Sequence, residues 1–473
     1  YWIPKREEEG YGLNEDRIKS LKIDGAGLLL TCDNGISALS EIELAKSLGM
    51  KVVITDHHLV SLDENGDDLL PVADAIINPN RQDDLYPFKE FSGAGIAYKF
   101  SKALFSAYKK DFTIIEDSLL ELAAIGTVTD IVSLRDENRI IVKEGLKVLE
   151  NTNNIGLKSL IEASDLSENK INTYHLGFII GPAINASGRI SNAKKAVELM
   201  ITKNENKAKN LSRELVDLNR KRQELTQAAL ESSLDLMSTG DYDNDNIIVL
   251  YDENAHESIV GIVAGRLKEI YNKPTIVLSK GKDSLKGSGR SIDEYNITMG
   301  LERSKELLIS YGGHPMACGL SLKEENLSDF RESINRTLNK VYSRKIFIDV
   351  PLSLEKLSEN IIGEISMLEP FGAGNSRPNF GEKNVLIKET KFIGKEKNHI
   401  KFRFKKNSVF VDGIYFNGSE KFLENVNEFF NENYGVYDTI EDIFVDIIYA
   451  PEINEYMGYR NVQLNIKDFR IIN

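Results

Sequence analysis

Lys51-Val52-Val53-Ile54-Thr55-Asp56-His57-His58 is the stretch that decides how this chain is read. Val52, Val53 and Ile54 form a short β-branched apolar run, the pattern of a strand buried on both faces. Three ionisable side chains follow at once: Asp56, His57 and His58. The same event occurs upstream, where Leu28-Leu29-Leu30-Thr31-Cys32 runs into Asp33-Asn34-Gly35. Between the two, Ala38, Ile42, Ala45 and Leu48 recur at helical spacing and Gly49 supplies a C-cap. Residues 28–58 are therefore predicted to be a strand–helix–strand unit, which crosses right-handed with its strands parallel. Parallel neighbours bring Asp33 and Asp56, His57 and His58 to one edge of the sheet, at the carboxyl ends where open α/β sheets bind ligands. Carboxylate plus imidazole is a ligand set for Mn²⁺ or Mg²⁺. Taken singly, Asp-Asn-Gly is an ordinary turn that tolerates positive φ, and Asp-His-His an ordinary polar surface. Their occurrence together on adjacent strands is what points to a site.

The rest of the chain sets bounds on that reading. Its 473 residues suggest two to four domains, and 41% apolar with 28% charged residues describes a globular protein with sizeable cores. No apolar run approaches the roughly 20 residues of a membrane span, and no signal peptide is visible. Two cysteines, Cys32 and Cys318, fall in different predicted domains, which argues against a disulfide framework or a cysteine zinc site and fits a reducing, cytoplasmic compartment. A net charge of −14 disfavours a non-specific nucleic-acid coat protein but not a nuclease, since bound cations and local basic patches supply a positive field. Tyr1-Trp2-Ile3-Pro4 reads as the end of a strand, so sequence upstream is expected.

Several later stretches carry single polar groups in unusual settings. Asp130 sits in the otherwise apolar Gly126-Thr127-Val128-Thr129-Asp130-Ile131-Val132, where a carboxylate needs a cation, a donor or a cap. Residues 180–189 crowd small side chains around Asn185 and Arg189, which suits close backbone approach and phosphate contact, or simply a turn with a surface arginine. A long helix is predicted over 206–237, with Leu211, Leu215, Leu218 and Leu225 as its packing seam. Asp241-Tyr242-Asp243-Asn244-Asp245 imitates a metal loop but precedes a strand and lacks a closing glycine, so it reads as a linker. Gly287-Ser288-Gly289-Arg290-Ser291 and Tyr311-Gly312-Gly313-His314-Pro315 read as two glycine-rich turns whose amides suit phosphates. Beyond residue 346 strand-like segments recur. There Lys388, Lys391, Lys395, Lys397, Lys401, Arg403, Lys405 and Lys406 interleave with Phe392, Phe402 and Phe404. This fits a small β-barrel that binds single strands by backbone tracking and stacking, and equally a barrel with a phenylalanine core and a lysine-rich surface.

Taken in order, these stretches resemble one family. Thr31-Cys32-Asp33-Asn34-Gly35, Asp56-His57-His58 and residues 126–130 resemble the second, third and fourth motifs of the DHH phosphoesterase superfamily. Residues 184–189, Gly289-Arg290-Ser291 and residues 312–319 resemble its RecJ branch with the associated DHHA1 domain. Glu369-Pro370-Phe371-Gly372-Ala373-Gly374-Asn375 resembles the entry to that branch's oligonucleotide-binding domain.

The resemblance implies an α/β fold in three parts. These are a doubly wound parallel-sheet DHH domain over 1–237, a smaller α/β DHHA1 domain over 247–342 and an OB-like β-barrel over 346–473. It implies a single-stranded-DNA-specific 5′-to-3′ exonuclease of recombination and repair that uses two Mn²⁺ or Mg²⁺ ions. A single-strand-binding protein and a helicase are the implied partners, with no membrane. Carried over by position, Asp33 bridges the metals, and His57 and Asp130 hold one of them. His58 contacts the scissile phosphate and Asp56 orients an imidazole. Asn185, Arg189, Arg290, Gly312, Gly313 and His314 bind the DNA strand. The family's first motif, which supplies further metal ligands, is expected upstream of Tyr1; without it the chain is expected to be nearly inert. Two alternatives stand beside this reading: a phosphodiesterase for short oligonucleotides or cyclic dinucleotides, and a catalytically inactive DNA-binding scaffold.

Overall fold

The computed structural model describes all residues except 5–11, 169, 191, 243, 339–344, 457–458 and 473, so most of the Glu-Gly-Tyr-Gly stretch after residue 8 and Asp243 lie outside the described residues. The chain forms two compact units, Tyr1–Val132 with Asp136–Arg344, and Ser133–Arg135 with Lys345–Asn473. No helix among the described residues is long and apolar enough to cross a membrane. Cys32 and Cys318 are both free thiols.

The first unit begins irregularly: Tyr1 to Pro4 form no strand, contrary to the sequence expectation, and Trp2 instead lies under the Arg17 guanidinium, 4.4 Å from its carbon. Helix α1 (Glu15–Ile23) leads to β1 (Leu28–Cys32), α2 (Leu39–Ser47), β2 (Lys51–Thr55) and β3 (Ala75–Ile77). The three strands are parallel in the order β1-β2-β3. Val52 and Ile54 are fully buried against Ile18, Ile42 and Ala45 of α1 and α2. Ile77 packs instead with Phe91 and Ile96, the latter on α3 (Gly93–Ala107), so helices cover both faces of the sheet. The parallel strands are those expected from the strand–helix–strand pattern, and the doubly wound arrangement is the one that the family resemblance implied.

A helical layer follows: α4 (Thr113–Thr129), α5 (Asp136–Leu149) and α6 (Ile155–Ala163), then a π-helical turn (Leu176–Ile180) running into α7 (Gly181–Ile190) and α8 (Lys194–Ile201). Residues 181–190 are thus helix, so of the two readings of their small side chains, close approach and a turn, the turn is not what forms. Pro182 directly follows the π-helical turn, in which the Gly181 amide donates to the Leu176 carbonyl; a proline inside a continuous helical run removes one i→i−4 bond and goes with such a local change of winding. The small residues serve packing: a Cβ at Gly181 would lie 2.1 Å from the Thr129 methyl. Helix α9 (Glu205–Thr239) carries the predicted seam, with Leu215 fully buried.

A second lobe of the same unit holds β4 (Ile248–Tyr251), α10 (Val260–Tyr271), β5 (Thr275–Lys280), β6 (Leu285–Arg290), α11 (Ile297–Arg303), β7 (Leu308–His314), β8 (Ala317–Leu322) and α12 (Leu327–Asn335). Its sheet runs β4-β5-β6-β8-β7, with β4 and β5 parallel and the others antiparallel. Both glycine-rich "turns" are therefore strands. Glycine is required there for close approach: a Cβ at Gly289 would sit 2.5 Å from the Cys318 sulfur and one at Gly313 2.3 Å from the Ala317 carbonyl oxygen, and Gly313 also has a positive φ. The linker aspartates behave as linker. Asp245 pairs with Arg331 at 2.7 Å. The start of β4 is closed by one side chain: Asn335 Oδ1 accepts from the amides of Asn246 and Ile247 at 2.8 and 2.9 Å, and its Nδ2 donates to the Ile247 carbonyl at 2.9 Å. Asn335→Ala strands these groups in a half-buried seam and is expected to cost about 2–3 kcal/mol in urea unfolding. A cost below about 0.5 kcal/mol would mean that water replaces the amide there.

The second unit is a barrel: β9 (Val350–Pro351), α13 (Glu359–Ser366), β10 (Phe380–Ile393), β11 (His399–Lys406), β12 (Val409–Tyr415), α14 (Ser419–Phe430), β13 (Ile443–Tyr456) and β14 (Tyr459–Ile471). The order β11-β12-β14-β13-β10, closed by a β10–β11 pairing, leaves no free edge among these five strands. Phe392, Phe402 and Phe404 fill its core at 4%, 2% and 1% exposure, so they cannot be the stacking residues of the lysine-rich strands. The loop over 369–375 has a packing role. A Cβ at Gly372 would lie 2.6 Å from Leu134 Cδ1, and one at Gly374 2.3 Å from Ser133 Oγ. Its glycines thus admit Ser133–Arg135, whose Leu134 amide donates to the Ala373 carbonyl at 2.7 Å.

Candidate metal centre

The tips of β1 and β2 build the core of the site. The Asp33 amide donates to the Thr55 carbonyl at 2.9 Å and the Asp56 amide to the Ile77 carbonyl at 3.0 Å, so the sheet ladder continues one residue past each strand. At Asp33 the backbone turns left-handed, with φ 64°, which lifts its carboxylate off the sheet edge. The next element makes room for it: a Cβ on Gly93 would lie 2.4 Å from Asp33 Oδ1. Ser92 caps α3 at this point by accepting from the Gly95 amide at 3.0 Å.

His57 Nε2 stands 3.0 Å from Asp33 Oδ1 and 3.3 Å from Asp130 Oδ2. Asp130 is the C-cap of α4. One imidazole nitrogen is thus bracketed by two carboxylates from different elements. Ligand atoms of Asp33, His57 and His58 also lie within 4.8 Å of one another. The Asp33 carboxylate with the imidazole nitrogens of His57 and His58 beside it fits a divalent cation of the Mn²⁺ or Mg²⁺ type, and Asp130 reaches this group through His57.

Asp56 does not face this cluster. It is buried, and it accepts from the Ile36 amide at 3.0 Å, the His57 amide at 2.8 Å and His58 Nδ1 at 2.7 Å. This fixes the ring of His58 and leaves its Nε2 for a ligand. Asn80 Nδ2 donates to the His57 carbonyl at 2.6 Å and Asn78 Nδ2 to that of His58 at 2.9 Å.

The electrostatics follow from these contacts. Burial works against a charged Asp56, but the hydrogen bonds from His58 and the Ile36 amide outweigh it and hold the carboxyl below its ordinary range. Burial likewise opposes protonation of His57. The Asp33 hydrogen bond and the charges of Asp130 and Asp33 overcome it and raise the imidazole's affinity for a proton. The Asp56 hydrogen bond does the same for His58. Asp130 is pushed up, first by desolvation and then by Asp33, against the pull of His57. An incoming cation therefore displaces protons, and its uptake weakens as pH falls.

The second lobe contributes His314, whose ring stacks at 6.1 Å and 14° on that of His58. Arg290, Ala317 and His314 are in register across β6, β8 and β7, which puts Arg290 two strand spacings, roughly 10 Å, from His314. Gly312 and Gly313 precede His314 on β7, Gly313 with φ 148°. Arg290 is half-buried, and desolvation lowers its pKa; among the described residues it has no carboxylate partner, and its Nη1 donates to Ser288 Oγ at 3.0 Å. Arg189 on α7 donates to the Ser258 carbonyl at 3.1 Å, and Asn185 is exposed one turn earlier. Gly93, Ser258 and Gly261 were missed in the sequence. The Ser-Gly-Ala-Gly run at 92–95 was a signal for the first of them, whereas nothing local marks the other two.

On the barrel, β11 presents Lys401, Arg403 and Lys405 alongside the exposed Phe410 of β12. The Arg403 and Lys405 cations each lie 5.6 Å from its ring. Phe410 supplies the exposed ring that the core phenylalanines do not.

Comparison with known proteins agrees with this architecture. The DHH family N-terminal domain profile matches residues 1–127, the DHHA1 domain profile 244–340 and the RecJ OB domain profile 348–468. The single-stranded-DNA-specific exonuclease RecJ of Bacillus subtilis is 35% identical over 99% of this chain and 57% of its own length. That of Salmonella typhimurium is 31% identical over 99% of this chain and 81% of its own. The crystal structure of Thermus thermophilus RecJ in complex with Mn²⁺ superposes with a TM-score of 0.80 at 26% identity, covering 97% of this chain and 63% of that one. The chain thus spans a little over half of the Bacillus relative and about four fifths of the Salmonella one.

Proposed function

Because this chain belongs to the RecJ family of single-stranded-DNA-specific exonucleases, we propose that it hydrolyses phosphodiester bonds of single-stranded DNA from the 5′ end, with Mn²⁺ or Mg²⁺, in recombination and repair. The observation that carries the proposal is the convergence of Asp33 and Asp130 on His57 Nε2, at 3.0 and 3.3 Å, beneath the His58–His314 stack. Asp33, His57 and Asp130 would hold a cation, which would stabilise charge on the phosphoryl oxygens and make water nucleophilic near neutral pH. His58, oriented by Asp56, faces the scissile phosphate. His314 approaches from the opposite lobe, so the strand passes between the two. Arg189 and Arg290 take flanking phosphates: Arg290 has no carboxylate among the described residues to neutralise it and is already desolvated, which favours an anion. Gly312 and Gly313 keep β7 free of side chains where the strand runs, and Asn185 lies along the same path. On the barrel, Lys401 and Arg403 pair with Asp412, which leaves Lys405 beside the exposed ring of Phe410 to suit a nucleotide by backbone contact and stacking.

A 5′-ended single strand has to be released by a strand-separating enzyme and is coated by single-strand-binding protein, so a helicase and such a protein belong to the proposal as partners. A cytoplasmic location fits the two free thiols.

The test is Mn²⁺-dependent release of mononucleotides from single strands labelled at either end. Loss of the 5′ label first, with duplexes and dinucleotides resistant, is the expected result. Preference for dinucleotides, or first loss of the 3′ label, would sink the proposal.

A further inference from the structure

The segment that joins β4 to α10 lies between the two arginines proposed to take phosphates, and one exposed histidine holds it. The segment starts at the carboxyl end of β4, where α/β sheets place their ligand loops. Asp252 stiffens its beginning: the carboxylate accepts from the Asn254 amide at 3.0 Å, and the Asp252 carbonyl from the Ala255 amide at 3.2 Å. His256 stiffens its end. The Ser258 amide donates to His256 Nδ1 at 3.2 Å, and Ser258 Oγ lies 2.8 Å from the same nitrogen. A ring nitrogen that accepts from a backbone amide carries no proton, so the serine hydroxyl is the donor in the second contact and the ring's proton resides on Nε2.

Ser258 is buried, and its carbonyl receives the Arg189 guanidinium from the other lobe. Three residues on, Gly261 lies beneath Arg290: a Cβ there would stand 3.0 Å from Arg290 Nη2 and 2.9 Å from Ser288 Oγ. One short stretch of backbone therefore touches Arg189 at one end and Arg290 at the other. His256 itself is exposed and belongs to no apolar core. The polar contacts of its ring among the described residues are those to Ser258.

We propose that His256 is a positioning residue for substrate phosphates: by capping Ser258 through Nδ1 it fixes the carbonyl on which Arg189 is braced, and so sets the spacing between Arg189 and Arg290. The proposal rests on the reading of these two arginines as phosphate contacts.

The test compares His256→Ala, His256→Asn and His256→Gln in binding of a fluorescent oligothymidylate without metal, and in cleavage with Mn²⁺. Asparagine places an acceptor where Nδ1 stands and makes the same turn over two residues; glutamine places its polar group near Nε2 instead. His256→Ala and His256→Gln are expected to raise Kd and KM about tenfold with kcat within about twofold, and His256→Asn to restore both. Melting temperatures should stay together, since the side chain is exposed. On an Arg189→Ala background, His256→Ala should add nothing further. Failure of His256→Asn to rescue, wild-type Kd in all three variants, or a fall in kcat alone would each overturn the positioning role. If Arg189→Ala leaves Kd unchanged, the phosphate reading of the arginines falls and takes this proposal with it. If Arg189→Ala weakens binding while His256→Ala does not, only the role of His256 falls.

Discussion

Replacing His57 with alanine is expected to lower kcat for Mn²⁺-dependent nucleotide release by about 10³-fold or more, while single-strand binding stays within about threefold. The asymmetry follows from where the ring stands. His57 Nε2 is the only described nitrogen bracketed by both Asp33 and Asp130, at 3.0 and 3.3 Å. Removing it deletes a proposed ligand and takes away the imidazole that both carboxylates contact. Asp130 is already raised by desolvation and by Asp33, with His57 pulling it back down. Without the imidazole, Asp130 shifts further toward its neutral form and holds a proton in place of a cation. The groups proposed to bind the strand are elsewhere, on α7, β6, β7 and the barrel, and none of them is hydrogen-bonded to His57. The check is a paired measurement of nucleotide release and of oligonucleotide anisotropy on one preparation. Collapse of binding together with activity would show that His57 supports the fold and not the metal.

Gly93→Ala should weaken Mn²⁺ binding by about 10- to 100-fold, the range seen when a group that orients a ligand is lost. In an ordinary helix the same change adds stability, because alanine outranks glycine in helix propensity. Here the new Cβ would lie 2.4, 2.5 and 2.6 Å from Oδ1, Cγ and Cβ of Asp33. Contact with the Asp33 Cβ means that turning the carboxylate alone gives no relief. The whole side chain has to swing about χ1, which carries it away from His57. Titration by calorimetry or by Mn²⁺ electron paramagnetic resonance reads the effect directly. Wild-type affinity in Gly93→Ala would show that Asp33 does not hold the cation from this position.

Much of this architecture was legible from local pattern. The β-branched run 52–54 and the helical spacing of Ile42 and Ala45 are consequences of side-chain periodicity, which the backbone imposes residue by residue. Two parallel strands ending in Asp33 and in Asp56-His57-His58 then share an edge by geometry alone. Glycine-rich stretches were the weak point. Gly289 and Gly313 read as turns because glycine most often serves φ freedom; in the structure both stand in strands, where Cys318 leaves no room for a Cβ at Gly289, and the Ala317 carbonyl and a positive φ both exclude one at Gly313. At 181–190 the close approach read from the small residues is present, as a helix against Thr129, whereas the alternative of a turn is not.

By itself, then, the sequence determined the strand tips, the residue types at them and the order of the motifs, because these depend on spacing within a few turns of chain. Only the tertiary structure decided that the end of α4 carries Asp130 to His57, that Gly93 opens space for Asp33, that Phe402 and Phe404 face inward while Phe410 faces out, and that His256 braces Arg189 through Ser258. Each of these is a contact between elements far apart in the chain. Such contacts are set by how cores pack, and no local periodicity encodes them.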